Sequence, residues 1–235
     1  MTDTTLVAQF LAVAVFGACV FYAWNADGRR NTQQWFFISY IFFLLLISLL
    51  VVMQQIVYNP GFLVFGAAPS LLVMLYPAFL YLAFCLAKML VAETDVRGMS
   101  VWMFLLMPAL MLPLDVTGIQ LQWWAFPSDS FAFLNGVPFY LPFAWGITAG
   151  TFMYMMGRIR KIRFRGSGQL FAMMIAAPLL DGILILLIAL AQVVVDWLYA
   201  LGGANALYMV LSVVFVGLPI ALFLRQLPRR GAARR

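Results

Sequence analysis

Seven long apolar segments are the sequence feature that most constrains the fold. They cover roughly residues 5–24, 35–57, 69–91, 100–120, 138–156, 169–195 and 204–225, and a membrane-spanning helix needs about 20 mostly apolar residues. Only 9% of the 235 residues are charged, against about a quarter in a typical soluble domain. The sequence therefore predicts an all-α, polytopic integral membrane bundle of seven transmembrane helices that forms a single domain over residues 1–235.

The segment at 5–24 is expected to be a retained helix. No basic residue precedes it, and it has no clear small-residue cleavage site, whereas a signal peptide has both features.

The basic residues predict the orientation of the bundle. The predicted loops at 58–68, 121–137 and 196–203 contain no Lys or Arg, whereas those at 25–34, 92–99 and 157–168 and the C-terminal tail are basic. Cytoplasmic flanks of membrane helices carry an excess of Lys and Arg. We therefore expect the N-terminus outside, the C-terminus in the cytoplasm, and a location in a cytoplasmic membrane of the bacterial type.

Ten of the fourteen basic residues form two clusters that directly follow apolar segments, which is where a topology signal lies. The clusters also predict contact with anionic lipid headgroups, and their position argues against nucleic acid as a partner despite the net charge of +6. Their members are Arg158, Arg160, Lys161, Arg163 and Arg165, then Arg225, Arg229, Arg230, Arg234 and Arg235.

Two carboxyl groups lie well inside the predicted spans. Asp181 is about 18 Å and Asp115 about 22 Å from the cytoplasmic side at 1.5 Å per residue, so both could face one cavity. Ionisable groups in a bilayer are costly and mark function by default. Two structural alternatives stay open: Asp115 follows Pro113 and could cap a broken helix, and Asp181 could hydrogen-bond a neighbouring helix.

Other polar and aromatic side chains are predicted at the depth of these carboxyl groups or further toward the outside. The connection at 121–137 is aromatic and nearly uncharged, which is typical of an interfacial aromatic belt or of a lid over a lipid-binding site. We expect a polar pocket that is open to the outer side, with substrate-binding candidates Gln54, Tyr76, Trp123, Trp124, Gln192 and Tyr208.

Acid catalysis is the chemistry that such a pocket favours. Burial disfavours the charged form of a carboxyl group, and a protonated Asp can donate to an alkene. Aromatic faces can then stabilise the carbocation. The chain has no His, which removes the usual ligands of haem and of catalytic zinc, and Cys19 and Cys85 are expected to act as small hydrophobic residues. We expect no cofactor.

A resemblance to a known family enters at residues 115–145. The stretch has Asp115-Val-Thr-Gly118, then Trp123-Trp124, then Asn135-Gly-Val-Pro138 with Pro142 and Trp145. It resembles the membrane-bound carotenoid biosynthesis proteins that include carotenoid hydratases, over about thirty of the 235 residues. The resemblance implies acid-catalysed chemistry on the end of a long isoprenoid, with Asp115 catalytic and Trp145 beside the substrate.

Two hypotheses follow. In the first, the chain is a metal-independent enzyme that hydrates or cyclises a lipophilic carotenoid or terpenoid, with Asp181 and Asp115 as proton donor and partner. In the second, it is a non-enzymatic accessory subunit or a small-molecule or proton-coupled carrier. A retinal Schiff base in the seventh segment, as in microbial rhodopsins, is excluded, because the segment at 204–225 has no Lys to attach the chromophore.

Overall fold

The chain is mostly helical in a computed structural model, which describes residues 3–126, 132–134, 136–138, 140–159, 174–175, 177–187 and 190. The helices are α1 (Asp3–Asp27), α2 (Arg29–Val52), α3 (Ser70–Leu90), α4 (Val96–Gln120), α5 (Leu141–Ile159) and the shorter α6 (Ala177–Leu187). The strands are β1 (Val57–Tyr58), β2 (Val64–Phe65), β3 (Ala68–Pro69), β4 (Trp124–Ala125), β5 (Ala132–Leu134) and β6 (Val137–Pro138).

Four helices within the described residues are long and apolar enough to cross a membrane: α1, α2, α3 and α4. They correspond to the first four predicted segments, and α5 occupies most of the fifth. Of the predicted sixth segment the structure describes α6 and a few neighbouring residues. The seventh segment and the side chains of both basic clusters lie outside the described residues.

The long helices run alternately up and down, which gives the bundle two distinct ends. One end carries all six strands, and we call it the ribbon end after the pair formed by β1 and β4. Helices α1, α3 and α5 begin there, and α2 and α4 end there. At the charged end, α1 and α3 end near Asp27 and Lys88, whose side chains form an ion pair of 2.9 Å. The core between the two ends is apolar and rich in aromatic side chains.

Small residues allow α4 and α5 to pack closely. A Cβ atom on Gly146 would lie 2.7 Å from the Phe104 carbonyl oxygen, and one on Gly157 would lie 2.6 Å from the Val96 side chain. Glycine at such positions lets helix backbones approach each other, as is common between membrane helices. This close approach brings side chains of α4 and α5 within hydrogen-bonding distance of each other.

At the ribbon end, α2 and α4 terminate in the same way. Gln54 follows α2 and Gln122 follows α4, and both have φ of 56°. The next amide in each case donates to the carbonyl five residues earlier, Gln55 to Leu50 and Trp123 to Gly118. This is the Schellman arrangement, in which a left-handed residue closes the last turn. It ends α2 at Val52, five residues before the end predicted from hydropathy.

The two chain segments that leave these helix ends pair with each other. Strand β1 runs antiparallel to β4, with Tyr58 opposite Trp124. The Asn59 amide N–H donates to the Trp123 carbonyl at 2.9 Å, and the Asn59 side chain donates to the Gln122 carbonyl at 3.2 Å. Two predicted external loops are thus joined in one ribbon, beside the hairpin formed by β2 and β3.

Candidate functional site

Asp115 is at the centre of the candidate site. The residue lies inside α4, which continues unbroken from Val96 to Gln120, so it does not cap a helix. Its side chain is buried, with the residue only 1% exposed, and its Oδ2 accepts a hydrogen bond of 2.7 Å from Trp145 Nε1 on α5. Its Oδ1 has no hydrogen-bond partner among the described residues. One carboxyl oxygen is therefore fixed in position, and the other is available.

Two tyrosines complete the surroundings of this carboxyl group. The ring of Tyr76, on α3, meets the Trp145 ring edge to face with 4.6 Å between centroids. Tyr58, on β1, approaches Tyr76 through its hydroxyl, although that hydroxyl makes no well-aligned hydrogen bond within the described part of the chain. Burial raises the pKa of Tyr58 well above its ordinary value, so its hydroxyl stays protonated.

The ribbon covers the site with two indole rings. The Trp124 ring lies over Gly118 of α4, where a Cβ atom would collide with it, and it meets Tyr58 at 6.4 Å between centroids. Trp123 packs beside it at 6.0 Å. Both rings are buried, so these tryptophans form a cover over the bundle and not an exposed belt.

The region around Asp115 has an excess of unpartnered hydrogen-bonding atoms. Nε1 of Trp123, Nε1 of Trp124 and the Tyr58 hydroxyl are buried donors without a hydrogen-bond partner among the described residues, and Asp115 Oδ1 is a buried acceptor in the same state. Most buried polar groups in proteins are hydrogen-bonded, and the exceptions call for an explanation such as a functional role or a bound water. The candidate site and its cover therefore hold more hydrogen-bonding groups than the described residues satisfy.

Asp181 lies against a neighbouring turn of α5. It is fully buried on α6 beside Thr148, yet neither side chain makes a well-aligned hydrogen bond within the described part of the chain. A Cβ atom on the adjacent Gly182 would collide with Leu49 of α2, so α6 also packs on α2. Trp145, which contacts Asp115, and Thr148, which lies beside Asp181, are one turn apart on α5. The two carboxyl groups, on α4 and α6, therefore contact successive turns of the same helix.

The structure therefore assembles most of the predicted residues but not all in one place. Tyr76, Trp123, Trp124 and Trp145 surround Asp115 directly or through the ribbon, and Asp181 lies one turn away along α5. Gln54 instead lines an open cavity of about 400 Å³ beside the ribbon. Gln192 and Tyr208 lie outside the described residues.

Sequence reasoning missed two members of the site, Tyr58 and Thr148. Tyr58 stands at the boundary between a predicted span and a predicted loop, where hydropathy gives no signal, and Thr148 is a weakly polar residue within an apolar segment. The turn-prone Asn59-Pro60 pair after Tyr58 was the one available sign that the chain reverses there.

A second polar cluster lies at the charged end. Asp27 accepts from the Tyr81 hydroxyl at 2.6 Å and from Lys88 Nζ at 2.9 Å, and Glu93 lies 3.6 Å from the same ammonium group. This cluster joins α1 to α3.

No group of three or more Cys, Asp and Glu side chains within the described residues is arranged to hold a metal ion. The arrangement around Asp115 offers a buried acid, hydrogen-bond donors and aromatic faces. No protein-family model matches the chain, and no curated protein or solved structure is significantly similar to it.

Proposed function

We propose that this chain is a membrane enzyme that adds a proton to a lipophilic isoprenoid, a carotenoid or terpenoid, and so hydrates or cyclises it. In this proposal the chain forms seven transmembrane helices in a cytoplasmic membrane, with the N-terminus outside. The ribbon end then faces outward, and the basic clusters meet anionic headgroups on the cytoplasmic side.

The observation that carries the proposal is the asymmetric environment of Asp115. Trp145 donates to Oδ2 at 2.7 Å, which fixes that oxygen as an acceptor, and Oδ1 has no partner among the described residues. In the neutral carboxyl group the acidic proton then belongs on Oδ1. A carboxyl group buried without a cation beside it is expected to be neutral, because an isolated charge is expensive in apolar surroundings.

The reaction begins when Asp115 Oδ1 gives its proton to one carbon of an alkene. The π electron pair forms the new C–H bond, the other alkene carbon becomes a carbocation, and Asp115 is left as a carboxylate. The faces of Tyr76, Trp145 and Trp124 are suited to stabilise the cation, since aromatic rings attract cations through their quadrupole. Trp145 stabilises the carboxylate, because hydrogen bonds to ionised acceptors are stronger than neutral ones.

The second step returns the proton and fixes the product. For hydration, water adds to the carbocation and gives up one proton to the Asp115 carboxylate. For cyclisation, an internal alkene attacks the cation, and loss of a neighbouring C–H proton to the carboxylate ends the reaction. Each cycle thus ends with Asp115 protonated again, and Asp181, beside Thr148, is proposed as the partner acid that replaces a proton only when Asp115 has lost its own between cycles.

Expression in a host that makes carotenoids or terpenes, followed by chromatography of the extracted lipids, tests the proposal. We expect a new hydrated or cyclised product with the unaltered chain. Asp115→Asn should lower the yield of this product at least about 100-fold, given the typical contribution of a general acid. Asp181→Asn should lower it by a smaller factor. Glu93→Gln removes a carboxylate at the opposite end and is the matched control. Unchanged lipids, or full activity in both Asp→Asn variants, would show that the proposal is wrong.

The carrier hypothesis is separated by the same variants in liposomes. Between the two polar clusters the described core is filled by touching rings, from Tyr76 through Phe43, Phe42 and Phe152 to Trp35 and Phe84. We therefore expect no proton flux that depends on Asp115 or Asp181. Flux that both Asp→Asn variants abolish, in the absence of any product, would favour the carrier.

A further inference from the structure

The open cavity beside the ribbon has a mixed lining that the proposed chemistry at Asp115 does not use. Its volume is about 400 Å³, within the range of small-molecule sites. Its walls are mostly apolar, and three side chains add hydrogen-bonding groups: Gln54, Tyr58 and Asn59. All of its lining residues lie between Val51, near the end of α2, and Pro69 of β3.

The cavity has no charge with which to hold an ionised ligand. Residues 31–87 contain no Asp, Glu, Lys, Arg or His, and the whole lining lies within that range. Phosphate groups are held in proteins by Arg and Lys or by helix N-termini. Helix α2 meets this cavity with its C-terminal end. From the start of α3 only Pro69, which has no N–H, lines the cavity, and the Ser70 N–H already donates to the Leu63 carbonyl. A phosphorylated lipid end would therefore lose its hydration there without compensation.

The rim of the cavity is apolar and exposed. Val57 and Val64 line the cavity and are 53% and 60% exposed, and Leu63 and Phe65, the chain neighbours of Val64, are exposed as well. They lie at the ribbon end of four helices that are long and apolar enough to cross a membrane, where such a patch marks a contact with lipid. The ligand is thus expected to reach the mouth from the bilayer.

Tyr58 connects this cavity to the candidate site. The residue lines the cavity, and its hydroxyl approaches Tyr76 of the candidate site. The hydroxyl is buried without a well-aligned partner in the described structure, and it is held there by the pairing of Tyr58 with Trp124. Gln54 is placed at the cavity by the left-handed turn that ends α2. The Gln54 side-chain amide therefore offers a donor to a ligand oxygen in the cavity, whereas the Tyr58 hydroxyl is directed inward, toward Tyr76.

We propose that this cavity is a binding subsite for the uncharged, oxygen-bearing end of an isoprenoid lipid, an alcohol or a ketone, and that it excludes prenyl phosphates. The inference rests on the proposed function, because it names the class of lipid that the site beside Asp115 receives. The Gln54 side-chain amide donates to the ligand oxygen, and the apolar wall contacts the adjoining carbons.

Binding to the full-length protein in nanodiscs tests the inference, with quenching of tryptophan fluorescence as the readout. The probes are geranylgeraniol, geranylgeranyl diphosphate and a C20 isoprenoid hydrocarbon. We expect geranylgeraniol to bind at least about tenfold more tightly than either of the other two, as one added hydrogen bond predicts. Equal binding of all three probes, or preference for the diphosphate, would overturn the inference.

One variant ties this preference to the cavity. Gln54→Leu is expected to weaken geranylgeraniol binding by roughly three- to tenfold and to leave hydrocarbon binding unchanged. Tyr22→Phe, which removes a hydroxyl from an exposed position on α1, is the control and should bind like the unaltered chain. If Gln54→Leu keeps its preference for the alcohol, the inference is wrong.

The Asp115→Asn variant separates the failure of this inference from the failure of the proposed function. We expect it to keep the preference for geranylgeraniol, because Asp115 does not line the cavity. Selective alcohol binding without any turnover would refute the proposed enzyme and leave the subsite intact. Turnover without selective binding of the alcohol would refute the subsite and leave the proposed enzyme intact.

Discussion

At the scale of single residues, the pairing of Asp115 with Trp145 decides what the acid can do. The two residues are thirty positions apart and on different helices. The sequence indicated each of them separately, Asp115 as an ionisable group inside a span and Trp145 through a family resemblance. Nothing in hydropathy or spacing joins them, because an interhelical hydrogen bond depends on the rotation of two helices about their axes. The close α4–α5 contact at Gly146 fixes that rotation.

A double-mutant cycle measures this pairing. Trp145→Phe keeps an aromatic ring and removes the donor, and Asp115→Leu removes the acceptor. We expect a coupling free energy of about 1 kcal/mol, since hydrogen bonds between membrane helices average about 0.6 and reach about 1.7 kcal/mol. Reversible unfolding in mixed micelles supplies the measurement. The control cycle pairs Asp115→Leu with Trp102→Phe, on the outer face of α4, and its two changes in the free energy of unfolding should add. If the changes also add in the main cycle, the hydrogen bond between Asp115 and Trp145 is contradicted.

At the scale of elements, the ends of α2 and α4 show where hydropathy fails. The apolar run continues to Val57, so the sequence predicted a helix up to that residue, but Gln54 takes a left-handed conformation and turns the chain. Gln122 does the same after α4. Side-chain polarity carries little information on such a backbone state, and glycine, its usual marker, is absent from both positions.

Gln122→Gly is expected to stabilise the protein by about 0.5–1 kcal/mol, because glycine adopts a positive φ without the strain that a Cβ atom causes. Gln120→Gly, within the last turn of α4, is the matched control and should destabilise by a similar amount. Thermal unfolding followed by circular dichroism compares the two. A loss of stability in both variants would contradict the left-handed turn.

The cluster at the charged end stabilises the contact between α1 and α3. Tyr81 is buried and donates to a carboxylate at 2.6 Å, and hydrogen bonds to charged groups are worth about 1.5–3 kcal/mol. The ammonium group of Lys88 is about one third exposed, and exposed ion pairs are worth about 0–1 kcal/mol. We therefore expect Tyr81→Phe to lower the free energy of unfolding more than Lys88→Met does, with Tyr40→Phe on α2 as the neutral control. The reverse order would show that the ion pair holds the two helices together.

At the scale of the whole molecule, the sequence predicted the number and direction of the first helices from two independent signals, apolar length and the position of basic residues. The four long helices of the structure agree with the first signal. The second concerns the sides of the membrane, which the fold of the bundle does not define, since turning the whole bundle over leaves every internal contact unchanged. What the structure adds is that one end carries the ribbon and the hairpin and the other carries Asp27, Lys88 and Glu93.

Labelling of single cysteines decides between the two orientations. Cys19 and Cys85 are first replaced by Ala, and Ala67→Cys in the β2–β3 hairpin and Thr94→Cys between α3 and α4 are then made separately. With the N-terminus outside, a membrane-impermeant maleimide added to intact cells should modify the cysteine at position 67 and leave that at position 94 unmodified until the membrane is opened. The basic residues Arg29, Arg30 and Arg97 adjoin the same end as Thr94, and the cost of moving them across the bilayer underlies this expectation. Labelling of position 94 alone in intact cells would show that the bundle has the opposite orientation. The cavity beside Tyr58 would then receive its ligand on the cytoplasmic side.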